Sequence, residues 1–292
     1  MKYDIKCDCL DLKQTLFCGQ CFRFSDLGKG EFSGIVWDKQ GKFTQKEEGI
    51  EIECPEEDLP FWKNYFDLEL DYDTLLKEFN KDKTLKAACK GRKIRVLKQP
   101  PFETLISFII SQNNNIKRIT GIIDRLCEGF GKKTDFGYAF PTRQDLKGVT
   151  AEDLAPLRAG FRAKYIADAV EKVNGGEVDF EKIKALPDDE AREALKVIKG
   201  VGDKVADCVL LFGLHRLSAV PKDVWIKRIN AYYYPDGYPD CIKGYEGIAQ
   251  QYLFDFARTD FKAEQSKIND REAPRKQTVK MPENNDKKET KK

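Results

Sequence analysis

The sequence has a single histidine, His215, in 292 residues. One imidazole argues against multi-histidine metal sites and against acid–base chemistry run by paired histidines. Long apolar runs are also missing. The longest, LISFII, is far too short to cross a bilayer. The opening stretch MKYDIKCDCLDLKQTLF carries a charge every few residues, so no signal or transit peptide is expected. The chain therefore reads as soluble and intracellular, with no membrane partner. It lacks a charge excess as well: 51 Lys/Arg stand against 49 Asp/Glu. Residues 262–292 hold ten basic and six acidic side chains, so that tail is +4 and the rest of the chain is −2. A body with this balance is no polycation, and any binding of nucleic acid must rest on a local patch or on backbone amides.

Cysteine is present but scattered. The nine are Cys7, Cys9, Cys18, Cys21, Cys54, Cys89, Cys127, Cys208 and Cys241. An odd count with no export signal argues against a disulfide framework. Cys7-x-Cys9 with Cys18-x2-Cys21 offers four thiolates, yet C-x-C is unusual spacing for structural zinc, and strand pairing fits it better. No metal and no organic cofactor is expected.

Along the chain, QCFRFSD, EFSGIVWD, KFTQKEEG and GIEIEC alternate apolar and polar residues between Gly and Asp breaks, which predicts an antiparallel sheet. Residues 59–89 turn to helical spacing, and Pro100-Pro101 marks a boundary. From there to about residue 261 the pattern is helical. The expected fold class is α+β: an N-terminal β-rich domain over 1–98, closed by helices, packed on an all-helical domain over 99–261. The tail from 262 is too rich in Lys, Glu, Asn and Pro to fold and is expected to be disordered.

The stretch KGVGDKVADC, residues 199–208, holds the chemistry. It reads as a helix, a tight turn with Gly200 and Gly202, and a second helix, the whole hairpin lying at about 189–213. Both glycines suit positive φ and leave backbone N–H groups free to meet an anion such as a phosphate. Lys204 sits on the first turn of the second helix, where the local field disfavours its charge. Cys208 is one turn further on the same face. Nineteen residues after Lys204, Asp223 stands where it would cap the helix VWIKRI. An amine and a fixed carboxylate together suit attack on an electrophilic sugar carbon: the amine forms an imine and the carboxylate stabilises positive charge on the sugar. Residue types alone fit equally a structural cap beside a solvated lysine.

LKVIKGVGDKVADCVLLF followed by AVPKDVWIKRI resembles the helix-hairpin-helix Gly/Pro…Asp superfamily of DNA glycosylases. CGQCFRF (18–24), SQNNNIKRITG (111–121), GFRAKYI (160–166) and IAQQYLF (248–254) extend the resemblance to 8-oxoguanine DNA glycosylases from about residue 10 to 258. The resemblance implies that Lys204 is the Schiff-base nucleophile and Asp223 the catalytic carboxylate. It assigns the Gly19 carbonyl to the N7–H that distinguishes 8-oxoguanine from guanine. Gln250 would meet the Watson–Crick edge of the extruded base, with Phe254 and Cys208 on its two faces. Asn113 would fill the gap left by that base, Arg118 and Arg162 would read the orphaned cytosine, and Phe161 would be the wedge. Gly200, Gly202, Lys204 and Trp225 would lie along the phosphates; Trp225 stands where eukaryotic relatives usually carry histidine. Cys21 replaces a common serine. The four-cysteine cluster of endonuclease III relatives cannot be built after Asp223, where only Cys241 remains. The implied activity is excision of 8-oxoguanine from duplex DNA, opposite cytosine, by a monomeric glycosylase/lyase in base excision repair. Three alternatives stay open: an oxidised-pyrimidine substrate, a monofunctional glycosylase, and a non-catalytic DNA-binding module.

Overall fold

A computed structural model describes residues 1–261; the charged tail, with its expected disorder, lies outside the described residues. The chain opens with β1 (Lys2–Lys6) and a short helix α1 (Leu12–Phe17), then β2 (Phe24–Gly28), β3 (Glu31–Val36), β4 (Lys39–Lys46) and β5 (Gly49–Glu53). These five strands form one antiparallel sheet in the order β1-β5-β4-β3-β2. EFSGIVWD, KFTQKEEG and GIEIEC thus hold strands, as the period-2 pattern predicts, whereas QCFRFSD enters a strand only at Phe24. The edge strand KYDIK was not anticipated. It alternates too, with Tyr3 and Ile5 half-covered between exposed Lys2, Asp4 and Lys6.

One face of the sheet carries Phe32, Phe43, Ile50 and Ile52, all buried. Helix α2 (Leu59–Tyr65) covers it, with Trp62 and Phe66 meeting Phe43 edge-on at 4.8 and 5.1 Å. Edge-to-face contact suits the ring quadrupoles. The next helices, α3 (Tyr72–Phe79) and α4 (Lys83–Cys89), follow the sheet in sequence but bury Tyr72, Phe79 and Leu85 in the helical core.

That core is built by α5 (Pro101–Ser111), α6 (Ile116–Phe130), α7 (Arg162–Asn174), α8 (Phe180–Ala185), α9 (Asp188–Lys196), α10 (Asp203–Cys208), α11 (Val224–Tyr233) and α12 (Glu246–Phe256), with a two-residue hairpin (β6, Lys133–Thr134; β7, Gly137–Tyr138) between α6 and α7. Helix α5 is apolar on nearly every side, as a central helix must be. Pro101 starts it, where a missing N–H costs nothing. Helix α10 runs on into a π turn over Val209–Gly213.

A strap at residues 93–97 joins the two layers. Ile94 and Val96 enter the helical core and Leu97 the sheet core. Side chains satisfy its buried backbone: Ile94 N–H donates to Tyr252 Oη, Val96 N–H to Tyr72 Oη and Leu97 N–H to Gln20 Oε1. Buried amides need such partners. This strap locks the Cys18–Gln20 turn against α12, and so places one wall of the site.

Candidate active site

The hairpin is assembled by α9, the turn Val197–Gly202 and α10. Gly200 has φ +78°, and a Cβ there would lie 2.3 Å from the Tyr165 ring of α7. Gly202 differs from expectation. It is extended, at φ −105° and ψ −177°, with open space around it. Only Gly200 uses the left-handed region; Gly202 caps α10 and leaves its backbone uncovered. Asp168 of α7, itself buried, accepts the Lys199 N–H at 2.8 Å and holds the Lys199 ammonium at 3.0 Å. Across the turn, Lys196 pairs with Asp203 at 2.9 Å.

Lys204 is half-buried on the first turn of α10, its Nζ 5.0 Å from the centre of the Phe108 ring. Phe108 in turn stacks on Phe212 at 5.4 Å. Cys208, one turn on, is fully buried. Burial pushes its thiol up to about 11, with the Lys204 charge and hydrogen bond acting the other way, so the thiol stays protonated. Asp223 caps α11 as the sequence suggests, its Oδ1 accepting the Ile226 N–H at 2.8 Å. The cap fixes the carboxylate at the helix entrance, half-exposed beside Lys204.

Two cavities meet at this pair. A small one of about 70 Å³ is lined by Gly19, Phe108, Cys208, Gln250 and Phe254 among others. A broad groove of about 1180 Å³ runs past Asn113, Phe161, Gly202 and Lys222. Lys204 and Asp223 line both. The small cavity is less than a purine fills, so a base entering it must push the walls apart. The arrangement places one amine and one carboxylate between a niche for a flat ring and a channel for a strand.

The remaining residues split into two groups. Asn113 is exposed with φ +47°, and Asn115 caps α6 by accepting the Arg118 N–H at 3.0 Å, which is the turn that three asparagines favour. Phe161 is 51% exposed at the groove mouth. Arg118 is exposed on the first turn of α6 and close enough to lower the Arg162 guanidinium from its usual value, after burial itself. Arg162 is the departure. It is buried, and its donors already serve the carbonyls of Gln112, Asn113 and Ala159. In this arrangement it braces the asparagine turn, and to read a base it must release those carbonyls. Trp225 is half-buried on α11, with the Arg228 guanidinium 5.4 Å from its ring.

Sequence reasoning passed over Cys18, Gln20, Phe108, Phe212 and Gln251. Gln20 is almost fully buried: its Nε2 donates to the Thr15 and Arg95 carbonyls at 2.9 and 2.8 Å, and its backbone carbonyl accepts from Gln99 at 2.7 Å. These bonds hold the neighbouring Gly19, at φ +94°, against the small cavity. Both glutamines lie within the motifs CGQCFRF and IAQQYLF, but their partners are far along the chain.

A sheet-bearing helical fold with a glycine hairpin, a lysine and a capping aspartate defines a class of base-excision DNA repair proteins. Residues 106–237 match the HhH-GPD superfamily of those proteins, and residues 2–105 match the 8-oxoguanine DNA glycosylase N-terminal domain. The solved structure of MBOgg1 with a low-affinity DNA ligand superposes with a TM-score of 0.80 at 37% identity, over 86% of this chain and 93% of that one. The Clostridium acetobutylicum 8-oxoguanine glycosylase/lyase, in complex with double-stranded DNA carrying cytosine opposite 8-oxoG, gives 0.78 at 40% identity, over 86% and 92%. The Saccharomyces cerevisiae N-glycosylase/DNA lyase is 43% identical over 152 residues. That match spans 47% of this chain and only 40% of the yeast protein's length. The chain belongs to the 8-oxoguanine DNA glycosylase family.

Proposed function

We propose that this protein is a bifunctional DNA glycosylase and abasic-site lyase that removes 8-oxoguanine from duplex DNA inside the cell. The observation that carries the reading is the meeting of Lys204 and Asp223 at the junction of the small cavity and the groove. The groove takes the bent duplex and the cavity takes the extruded base. Lys204 Nζ attacks C1′; the C1′–N bond to lysine forms as the glycosidic bond breaks, and the base departs with the bonding pair and takes up the proton that the lysine nitrogen releases. The Asp223 carboxylate offsets the positive charge on the sugar. The sugar ring then opens: the C1′–O4′ bond breaks, O4′ takes a proton from solvent and a protonated imine forms to lysine; this acidifies C2′, and loss of the C2′ proton expels the 3′ phosphate. Family membership and the relatives' names support both substrate and chemistry.

The other assignments are those the family resemblance implies. The N-terminal unit to residue 98 supplies Gly19, whose carbonyl takes the N7–H, and the helical unit supplies the rest. Gln250, Phe254 and Cys208 hold the base. Asn113, Arg118, Arg162 and Phe161 occupy the vacated position and read cytosine, once Arg162 lets go of its carbonyls. Phosphates lie along the Gly200 and Gly202 amides and the Trp225 indole N–H.

Borohydride trapping on a duplex with one 8-oxoguanine opposite cytosine tests this, beside thymine-glycol and undamaged duplexes. A covalent complex with 8-oxoguanine alone, absent in Lys204→Gln, is expected. A complex only with thymine glycol overturns the substrate, and none on any duplex overturns the lyase mechanism.

A further inference from the structure

We propose that Gln251 is a positioning residue that makes the base pocket accept a guanine-type edge and refuse an adenine-type one. The inference rests on the excision reading above and adds a discriminating element to it.

Gln250 and Gln251 are both buried, and both line the small cavity. Gln251 Nε2 donates to Gln250 Oε1 at 2.7 Å. On its other side, Gln251 Oε1 shares the Cys18 thiol proton, lying 3.6 Å from the sulfur while the Thr15 carbonyl lies at 3.3 Å. Burial pushes that thiol up to about 12, so it keeps its proton and remains a donor. Cys18 is itself held by Gln20, whose Nε2 lies 3.4 Å from the sulfur. The Gln20 amide cannot turn: its nitrogen serves two backbone carbonyls and its oxygen accepts the Leu97 N–H at 2.9 Å. A chain of polar links thus runs from the strap to the face of Gln250. The last and shortest of them, from Gln251 Nε2 to Gln250 Oε1, sets which end of the Gln250 amide faces Gln251.

A carboxamide is nearly symmetric in shape and opposite in polarity at its two ends. Rotated by half a turn, the same glutamine exchanges donor for acceptor. The Watson–Crick edge of 8-oxoguanine offers O6 as acceptor and N1–H as donor. That of 8-oxoadenine offers N6–H as donor and N1 as acceptor, the reverse order. Both carry N7–H, so a carbonyl aimed at N7 does not separate them. A freely turning Gln250 would serve either base. With Oε1 tied to Gln251, Gln250 serves one order, and the other leaves buried polar atoms unpaired.

Single-turnover excision from duplexes carrying 8-oxoguanine or 8-oxoadenine tests this. Gln251→Met keeps the volume and removes the tie. Activity on 8-oxoguanine should persist, while its advantage over 8-oxoadenine falls by roughly tenfold, the upper worth of one neutral hydrogen bond. Gln251→Glu adds a signature that packing alone does not give. As a carboxylate it only accepts, so Gln250 must turn its nitrogen toward it and the preference falls further. At lower pH the protonated acid donates again and the preference recovers. Variants that melt like the wild type, cleave 8-oxoguanine and keep the wild-type ratio at every pH overturn the proposal. If Gln251→Glu does not fold, the Met variant decides alone. Wild-type protein inactive on 8-oxoguanine removes the excision reading itself, a result distinct from an unchanged ratio.

Discussion

Asp223 does two jobs with one carboxylate, and they can be separated. As a cap it satisfies the Ile226 N–H at 2.8 Å. As a charge it faces the site where positive charge develops on the sugar. Asparagine caps helices about as well as aspartate but carries no charge. Asp223→Asn should therefore melt within a degree or two of the wild type while the single-turnover excision rate falls about 10²- to 10³-fold. Asp223→Ala should lose the same activity and about 1 kcal/mol of stability besides. Equal destabilisation by both variants would show that the charge, not the hydrogen bond, holds α11. At this scale the readable residues were those whose partners lie close in sequence or whose motif is distinctive. Lys204, Cys208 and the cap at Asp223 were in reach for that reason. Gln251 was not, because its partner Cys18 lies 233 positions away. Nor was the bracing role of Arg162, whose carbonyl partners at 112 and 113 lie across a gap of about fifty residues.

The hairpin shows how two like residues in one element carry different loads. Gly200 is at φ +78° with the Tyr165 ring where a Cβ would go. Gly200→Ala should cost about 2 kcal/mol and lower the melting temperature by several degrees, since a left-handed alanine is strained and the ring must move. Gly202 is extended and open, so Gly202→Ala should fold normally. Its new methyl would stand in the opening through which a phosphate reaches the backbone, and DNA affinity should fall instead. Differential scanning calorimetry and a binding titration on one duplex check the pair. A stable Gly200→Ala would contradict the packing against α7. The glycine pattern marked the turn but not which glycine is strained, because that depends on Tyr165, an exposed-looking tyrosine in sequence. The strands were readable from alternation for a related reason: β3, β4 and β5 have one buried face, whereas β1 at the edge alternates but covers Tyr3 and Ile5 only in part.

At the scale of the whole molecule, the sheet unit and the helical unit meet around a buried carboxylate. Glu103 lies on the first turn of α5, with one oxygen unpartnered. Burial pushes it up to about 7 from 4.5; Arg23 and the Trp37 backbone act in the other direction but do not win. Tyr65 and Cys21 on the sheet side carry no charge near neutrality, since burial pushes both well up. Cys127 faces it from α6, and burial pushes that thiol up too. The folded state therefore holds a proton on Glu103 over a range where the unfolded chain has released it. Stability falls as pH rises from about 4.5 to about 7 and is then flat in this group. The full swing is about 3 kcal/mol, at about 1.36 kcal/mol for each pH unit between 4.5 and about 7. Glu103→Gln cannot ionise. The difference in unfolding free energy between Gln and wild type should move in favour of Gln by that amount between pH 4.5 and 7.5, whatever constant offset the substitution adds. Chemical denaturation of both proteins across this range measures it. A difference that stays constant with pH would mean that Arg23 holds Glu103 ionised throughout, and that the two units are joined by a buried ion pair instead of a protonated acid.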